Sequence, residues 1–170
     1  MQPVGKDFDN CIQDMDNEII RIATLLQEAY EGEPWFGRPA KALLSEVNSE
    51  MAFEQINGQH SIIQLVQHMI NWRRFTISRM EATNSKLHHF EQHDWQPNPS
   101  PDEQLWQQTV AQLDDTQEKL LTIIKKLPEI FLNTIVPERN YTFYKLLHGI
   151  IQHDIYHLGQ IAYIVKVLRN

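Results

Sequence analysis

The sequence contains a single cysteine among its 170 residues. Cys11 therefore has no partner for an intrachain disulfide, and a metal site built from several thiolates is excluded. A lone cysteine is also typical of proteins that work in a reducing compartment. The chain must instead be stabilised by its packed core, and any metal site must use histidine or carboxylate ligands.

Positive charge is also scarce. Lysine and arginine number 15 against 22 aspartates and glutamates, which gives a formal net charge of −7. A general nucleic-acid-binding protein needs a basic face for the phosphates, so we expect no nucleic-acid partner. The basic pairs Arg73-Arg74 and Lys125-Lys126 are predicted to be solvated faces of helices.

Long hydrophobic runs and several common motifs are missing. No uninterrupted apolar segment approaches the roughly 18–20 residues that a membrane span needs. The N-terminal region carries Asp7, Asp9 and Asp14 instead of a basic start followed by an apolar run, so no signal peptide is expected. Glycine-rich phosphate loops, a GxSxG elbow and an HExxH pair are also absent. These features predict a cytoplasmic protein that does not bind membranes.

What the sequence has is helical periodicity. Apolar residues recur every three or four positions in four long segments, which predicts four amphipathic helices. The predicted helices cover about 9–31, 61–82, 101–127 and 142–168. Because no series of strands and no repeat of 20–50 residues is present, we predict an all-α four-helix bundle that forms one domain over residues 1–170.

Local signals refine these boundaries. Ser61 and Thr142 are predicted to begin the second and fourth helices, and Ser100 with Glu103 resembles a capping box with Pro101 in the first turn. Asn57-Gly58 predicts a turn. A short helix is predicted over 39–47, and 131–140 is predicted to be an extended link.

Two irregular regions bear on function. Trp35 and Phe36 follow a predicted helix end, where they would either cover the end of the bundle or line a pocket. Residues 83–101 are polar and form a long connection, which indicates a crossover or a loop over a functional site. The histidines of this connection are predicted to be solvated rather than to form a metal clip: His88, His89 and His93.

The histidines of the last helix are the main candidate site. Residues four apart lie on one face of a helix, so His153 and His157 point the same way, towards the apolar side of the segment. Such a pair either forms hydrogen bonds within the core or binds a metal ion. His68, at the edge of the apolar stripe of the second helix, is the candidate third ligand, because catalytic zinc-type sites use three protein ligands and one open position.

Neighbouring residues suggest further roles. Gln160 and Tyr156 are close enough in sequence to orient a group bound at the metal, and we consider them candidate catalytic residues. Asp154 could accept a hydrogen bond from a ligand histidine, but on a helix it points well away from His153, so it is predicted to be solvated. No carboxylate is clearly placed to act as a general base, although the acidic residues before the second helix are candidates: Glu46, Glu50 and Glu54.

Two segments resemble the signature segments of the DinB-like (YfiT-like) superfamily. The first is 61–68, SIIQLVQH, followed by Trp72, and the second is 153–161, HDIYHLGQI. The segment 33–37, EPWFG, is also similar to one found in some members. The resemblance implies a four-helix bundle with up-down-down-up connectivity, often a bacterial homodimer, with a divalent metal ion on His68, His153 and His157. We expect zinc or nickel, with iron or manganese as alternatives, and Trp72 and Trp35 as cofactor-binding residues.

The same resemblance implies a range of activities. Some relatives transfer low-molecular-weight thiols such as bacillithiol, mycothiol or glutathione to electrophiles, so a metal-dependent thiol S-transferase acting on a small-molecule substrate is the leading hypothesis. A metal-dependent hydrolase is the first alternative. The second alternative is a non-catalytic stress-response bundle in which the histidine cluster is structural.

Overall fold

The described residues of this computed structural model, 17–169, are all-α. They form seven α-helices: α1 Glu18–Glu31, α2 Ala40–Leu44, α3 Ser49–Phe53, α4 Ile62–Met80, α5 Leu87–Gln92, α6 Glu103–Ile124 and α7 Phe143–Leu168. Two 3₁₀ turns, Ile56–Gly58 and Glu129–Asn133, lie between them. Over this part of the chain, no helix combines the length and apolarity that crossing a membrane would require.

The predicted helix starts are largely confirmed. Ser61 begins α4 with a full capping box in which Gln64 is the partner, and the Thr142 side chain accepts a hydrogen bond at the start of α7. Asn17 caps α1, whereas the predicted start near Asp9 and Cys11 lie outside the described residues. These caps satisfy backbone N–H groups that the first helical turn leaves without partners.

The capping box predicted at Ser100 is wrong. Asp102 caps α6, since its side chain accepts a hydrogen bond from the backbone N–H of Leu105. Pro101 therefore precedes the helix instead of occupying its first turn. Aspartate caps a helix as well as serine does, and Asp102 stands two residues closer to the apolar stripe than Ser100.

The connections differ from the prediction in two places. The 83–101 connection contains the short helix α5, whose Phe90 is buried against the core. The 131–140 link is not extended throughout, because the 3₁₀ turn occupies its start and one isolated antiparallel bridge joins Ile135 to Thr142. The short helix predicted over 39–47 is observed as α2, and the separate helix α3 follows it.

Each of the four long helices packs against two of the others. Helix α4 contacts α6 and α7, and α1 contacts the same two helices from the other side. Their apolar stripes form two buried clusters, one around Leu113, Val66 and Ile161 and the other around Leu26, Phe75 and Leu147. The burial of these stripes explains why the 3.6-residue periodicity identifies the long helices.

A buried ion pair lies between the two helices that carry the candidate histidines. Arg73 of α4 is 1% exposed and Asp154 of α7 is 2% exposed. The Arg73 Nε and Nη2 atoms each lie 2.9 Å from Asp154 Oδ2. The predictions of a solvated Arg73 and a solvated Asp154 are therefore wrong.

The sequence carries a signal for this burial. Arg73 lies four residues from both Met69 and Ile77, within the apolar stripe of α4, and Asp154 lies four residues from buried Ile150 on α7. A charge inside an apolar stripe requires an opposite charge nearby, since an unpaired buried charge is strongly unfavourable. The guanidinium also lies 5.1 Å from the ring centroid of Tyr30 on α1 and 3.4 Å from Thr116 Oγ1 on α6, so the pair contacts all four long helices.

Removing one partner of this pair should destabilise the protein. We expect Arg73→Met to lower the free energy of unfolding by about 3–5 kcal/mol, because Asp154 is left buried without a counter-charge. Arg73→Met combined with Asp154→Leu should recover much of this loss, and Arg74→Ala, an exposed neighbour, should have little effect. Urea unfolding measures all three, and equal losses for the single and double variants would contradict the pairing.

Candidate metal centre

Three histidine side chains meet between α4 and α7. His68 Nε2 lies 2.9 Å from His153 Nε2, and His157 Nε2 lies 3.1 Å from the same atom. His68 and His157 are buried, whereas the His153 side chain is 26% exposed. The structure thus brings together the three histidines that the sequence suggested as one cluster.

Local geometry explains this convergence. His153 and His157 are four residues apart on α7 and point to one side. His68 lies on α4 five residues before Arg73, and Arg73 binds Asp154, the residue next to His153. The ion pair therefore holds the two helices at the register in which the three imidazoles face one another.

In two of the histidines, hydrogen-bond acceptors determine which ring nitrogen carries the proton. His68 Nδ1 lies 3.1 Å from the Asp94 backbone carbonyl oxygen and 3.0 Å from the Asp94 carboxylate. His157 Nδ1 lies 2.6 Å from Gln160 Oε1. Oxygen acceptors at both Nδ1 atoms favour the Nδ1–H tautomer, which leaves each Nε2 with a lone pair directed at the centre of the cluster.

His153 differs from the other two. Its Nδ1 is buried and has no hydrogen-bond partner among the described residues, and the same holds for Asp154 Oδ1. These two atoms are 3.8 Å apart, which is too long for a hydrogen bond. His153 is therefore less constrained than its two neighbours, and it is the histidine that borders open space.

Burial favours the neutral form of His157 and His68. It lowers the pKa of His157 to about 4, with the neighbouring His153 and His68 acting in the same direction and the Gln160 hydrogen bond opposing it. Burial also lowers the pKa of His68, against the opposing effect of its contact with Asp94. At neutral pH both imidazoles have free lone pairs, which is the form that binds metal ions.

The donor set fits a divalent cation. The three ligand atoms all lie within 4.8 Å of one another. Nitrogens bound to a tetrahedral ion at about 2.0–2.1 Å would stand roughly 3.3–3.4 Å apart, close to the observed separations. Two lone pairs directed at a shared point repel each other unless a proton or a cation lies between them. Neutral imidazoles suit zinc, nickel, copper or iron(II).

The polar connection supplies residues that sequence reasoning missed. Trp95 stacks on His68 with ring centroids 4.0 Å apart, and His60 stacks on the other face of Trp95 at 3.7 Å. Asp94 accepts a 2.6 Å hydrogen bond from Trp72 Nε1 in addition to its contact with His68. The sequence signal was the length of this connection, but its spacing does not show which residues reach back to α4.

Of the other predicted site residues, three lie near the histidine cluster and one does not. Trp72 lies beside His68, with ring centroids 6.5 Å apart, and Tyr156 is exposed with its ring 5.0 Å from that of His157. Gln160 contacts His157 through its side-chain oxygen, so it positions a candidate ligand. Trp35 is fully exposed, so the interpretation that it covers the end of the bundle is wrong.

The remaining polar candidates lie elsewhere on the surface. The three loop histidines are exposed as predicted, and His93 Nδ1 lies 2.7 Å from the backbone oxygen of His89. Among the possible general bases, Glu46 forms ion pairs with Arg38 and Arg169, and Glu50 and Glu54 are exposed. Their contacts give no support for a role at the cluster.

Two cavities flank the cluster. The first, which we call the Gln160 cavity, has a volume of about 640 Å³, and its lining includes His60, Leu65, Tyr156, Gly159 and Gln160. The second, the His153 cavity, has a volume of about 250 Å³, and its lining includes Trp72, Lys145, Gly149 and His153 itself. Of these two cavities, only the second is lined by a histidine of the cluster, and the first adjoins the cluster through Gln160, which contacts His157.

Comparison with known proteins identifies one family. The family model described as the DinB superfamily matches residues 39–161, well over half of the chain. The matched range includes all three histidines and the connection that carries Asp94 and Trp95. No curated protein and no solved structure gives a significant match.

The contact between Asp94 and His68 should matter for metal affinity. We expect Asp94→Asn to weaken metal binding by about 10–100-fold, because a carboxylate that accepts the far N–H of a ligand histidine orients the ring and raises its basicity. Competition with a coloured chelator measures the affinity. Glu91→Gln, an exposed carboxylate in the same connection, is the matched control, and equal effects of the two changes would contradict this role.

Proposed function

This chain belongs to the DinB superfamily, and we propose that it is a metal-dependent thiol S-transferase whose divalent ion is held by His68, His153 and His157. The thiol would be of the bacillithiol, mycothiol or glutathione type. The observation that carries the proposal is that the Nε2 atoms of three histidines meet at one point. In two of these histidines, His68 and His157, an oxygen acceptor lies at Nδ1 and holds the proton there.

The donor set explains why such a site would activate a thiol. A divalent ion, when bound by three neutral ligands, keeps its full charge and lowers the pKa of a thiol at the open position, so that the thiolate nucleophile is available at neutral pH. The chain's own residues supply orientation, since Asp94 and Gln160 hold the rings of His68 and His157. Trp95 covers one face of His68 and limits the access of water.

Two observations favour transfer over hydrolysis. A transferase must bind two substrates, and one cavity is lined by His153 while a second is lined by Gln160, which contacts His157. Hydrolysis calls for a general base beside the open position, but Asp94 is already engaged by His68 and Trp72. We assign Tyr156 and Gln160 to the wall of the cavity that takes the thiol, and Trp72 to the wall of the other.

We also propose the up-down-down-up connectivity for the four long helices. Residue pairs along the helices support it: Arg73 lies near Leu113 and Glu81 near Lys119, so α4 and α6 run in the same direction. In contrast, His68 contacts His157, Arg73 binds Asp154, and Arg79 pairs with Glu138 just before α7, which supports opposite directions for α4 and α7. Homodimer formation and a cytoplasmic location stay predictions.

Metal content is the first test. Protein purified without a histidine tag should contain close to stoichiometric zinc or nickel by elemental analysis, and His68→Ala should remove most of it because one of three ligands is lost. His89→Ala, an exposed histidine of the connection, is the control. If wild type and His68→Ala have equal metal content, the metal centre is wrong.

Thiol conjugation is the second test. Metal-loaded protein should conjugate bacillithiol, mycothiol or glutathione to monochlorobimane, and His157→Ala should abolish the metal-dependent rate. Activity on ester or amide panels without added thiol would show instead that the protein is a hydrolase. No turnover in either assay, with normal metal content, would support a structural role for the cluster.

A further inference from the structure

Gly149 lies inside α7, as the seventh of its 26 residues. Glycine destabilises a helix relative to alanine because it loses more backbone freedom on folding. Neither the backbone nor the packing requires glycine here, since it is not among the residues with positive φ and a Cβ added to it would meet no atom within 4 Å. Gly149 lines the His153 cavity. Its missing side chain leaves this space open.

Lys145, Gly149 and His153 form a row along α7. They are spaced four residues apart and therefore follow one face of the helix. Eight residues of helix rise by about 12 Å, which separates the cation at one end of the row from the histidine cluster at the other. All three residues line the same cavity.

The walls on either side of this row are mainly apolar. Trp72, Phe75 and Thr76 of α4 stand opposite α7. The lining is completed by Tyr141, Leu146 and Ile150. Among the described residues that line the cavity there is no aspartate or glutamate. A ligand in this space would bury its apolar surface against the walls. The one fully charged side chain that it would meet is the cation Lys145.

Lys145 has no carboxylate partner in the described range 17–169. Its Nζ lies 5.6 Å from the ring centroid of Tyr141, and the side chain is exposed. Arg139 lies 5.5 Å from the ring centroid of Phe75 but pairs with Glu91 at 3.9 Å, so the positive potential at the cavity comes mainly from Lys145. A cation without a counter-ion at the end of an apolar cavity favours an anionic ligand.

We propose that the His153 cavity binds the acceptor substrate as a small amphiphilic acid. Its apolar body would lie over Gly149 between Trp72 and Ile150, its anionic group would pair with Lys145, and its other end would face the histidine cluster. This inference rests on the proposed function, because it names the chemical class of one of the two substrates. Lys145 and Gly149 would thus determine specificity without contributing to metal binding.

Binding of two matched ligands tests the proposal. We use 4-phenylbutyrate as the acidic ligand and 4-phenyl-1-butanol as its neutral counterpart, and titration calorimetry of the full-length, metal-loaded protein as the measurement. Wild type should bind the acid more tightly than the alcohol. Lys145→Met should weaken binding of the acid about tenfold or more, because a charge-assisted hydrogen bond is lost, and should leave the alcohol unaffected. Lys125→Met, at the end of α6, is the control and should change neither affinity.

Substitutions at Gly149 test the placement of the apolar body. Gly149→Leu should abolish binding of both ligands by filling the cavity. Gly149→Ala, whose methyl group meets no atom in the structure, should fold normally and weaken both ligands to a smaller degree. If Lys145→Met binds the acid as wild type does, or if Gly149→Leu keeps its affinity for both ligands, the proposal is wrong.

The experiment separates this proposal from the proposed function. Metal content should be the same in wild type, Lys145→Met and Gly149→Ala. If binding of the acid depends on Lys145 but no thiol is conjugated, the transferase assignment fails while the acid-binding cavity stands. If thiols are conjugated but wild type binds neither 4-phenylbutyrate nor its alcohol, the acid-binding proposal fails alone.

Discussion

The ion pair between Arg73 and Asp154 is the interaction on which the candidate site depends. It is almost fully buried and joins α4 to α7 at the level of the histidines. Hydrophobic stripes hold two helices together but tolerate small shifts along their axes, whereas a buried charge that loses its partner is strongly destabilising. The pair therefore selects one register of α4 against α7. In that register His68 Nε2 comes within 2.9 Å of His153 Nε2.

The connection between α4 and α6 completes the centre. Asp94 holds His68 by its Nδ1, and Trp95 lies between His60 and His68 in a stack of three rings. Burial of His68 lowers its pKa against the opposing effect of Asp94, while Gln160 positions His157 from within α7. Two imidazoles are thereby prepared as neutral ligands with their lone pairs directed inwards. His153 is the least constrained of the three, and it faces the smaller cavity.

Much of this could be predicted from the sequence, and the errors have physical causes. The long helices follow from periodicity, and family membership follows from the segments around His68 and His153. The prediction of solvated charges at Arg73 and Asp154 was wrong, because charged residues are usually exposed and only their position within an apolar stripe indicated otherwise. Asp94 and Trp95 were missed, because a long connection has no periodicity from which contacts can be predicted.

By itself the sequence determined the helical class and the placement of His153 and His157 on one face, since both depend on spacing along a single helix. Only the tertiary structure decided that His68 joins them, because contacts between helices depend on register and on the pairing of buried charges. It also decided that Lys145 and Gly149 border one cavity with His153. Cavities lie between elements, and their shape depends on packing that no local pattern records.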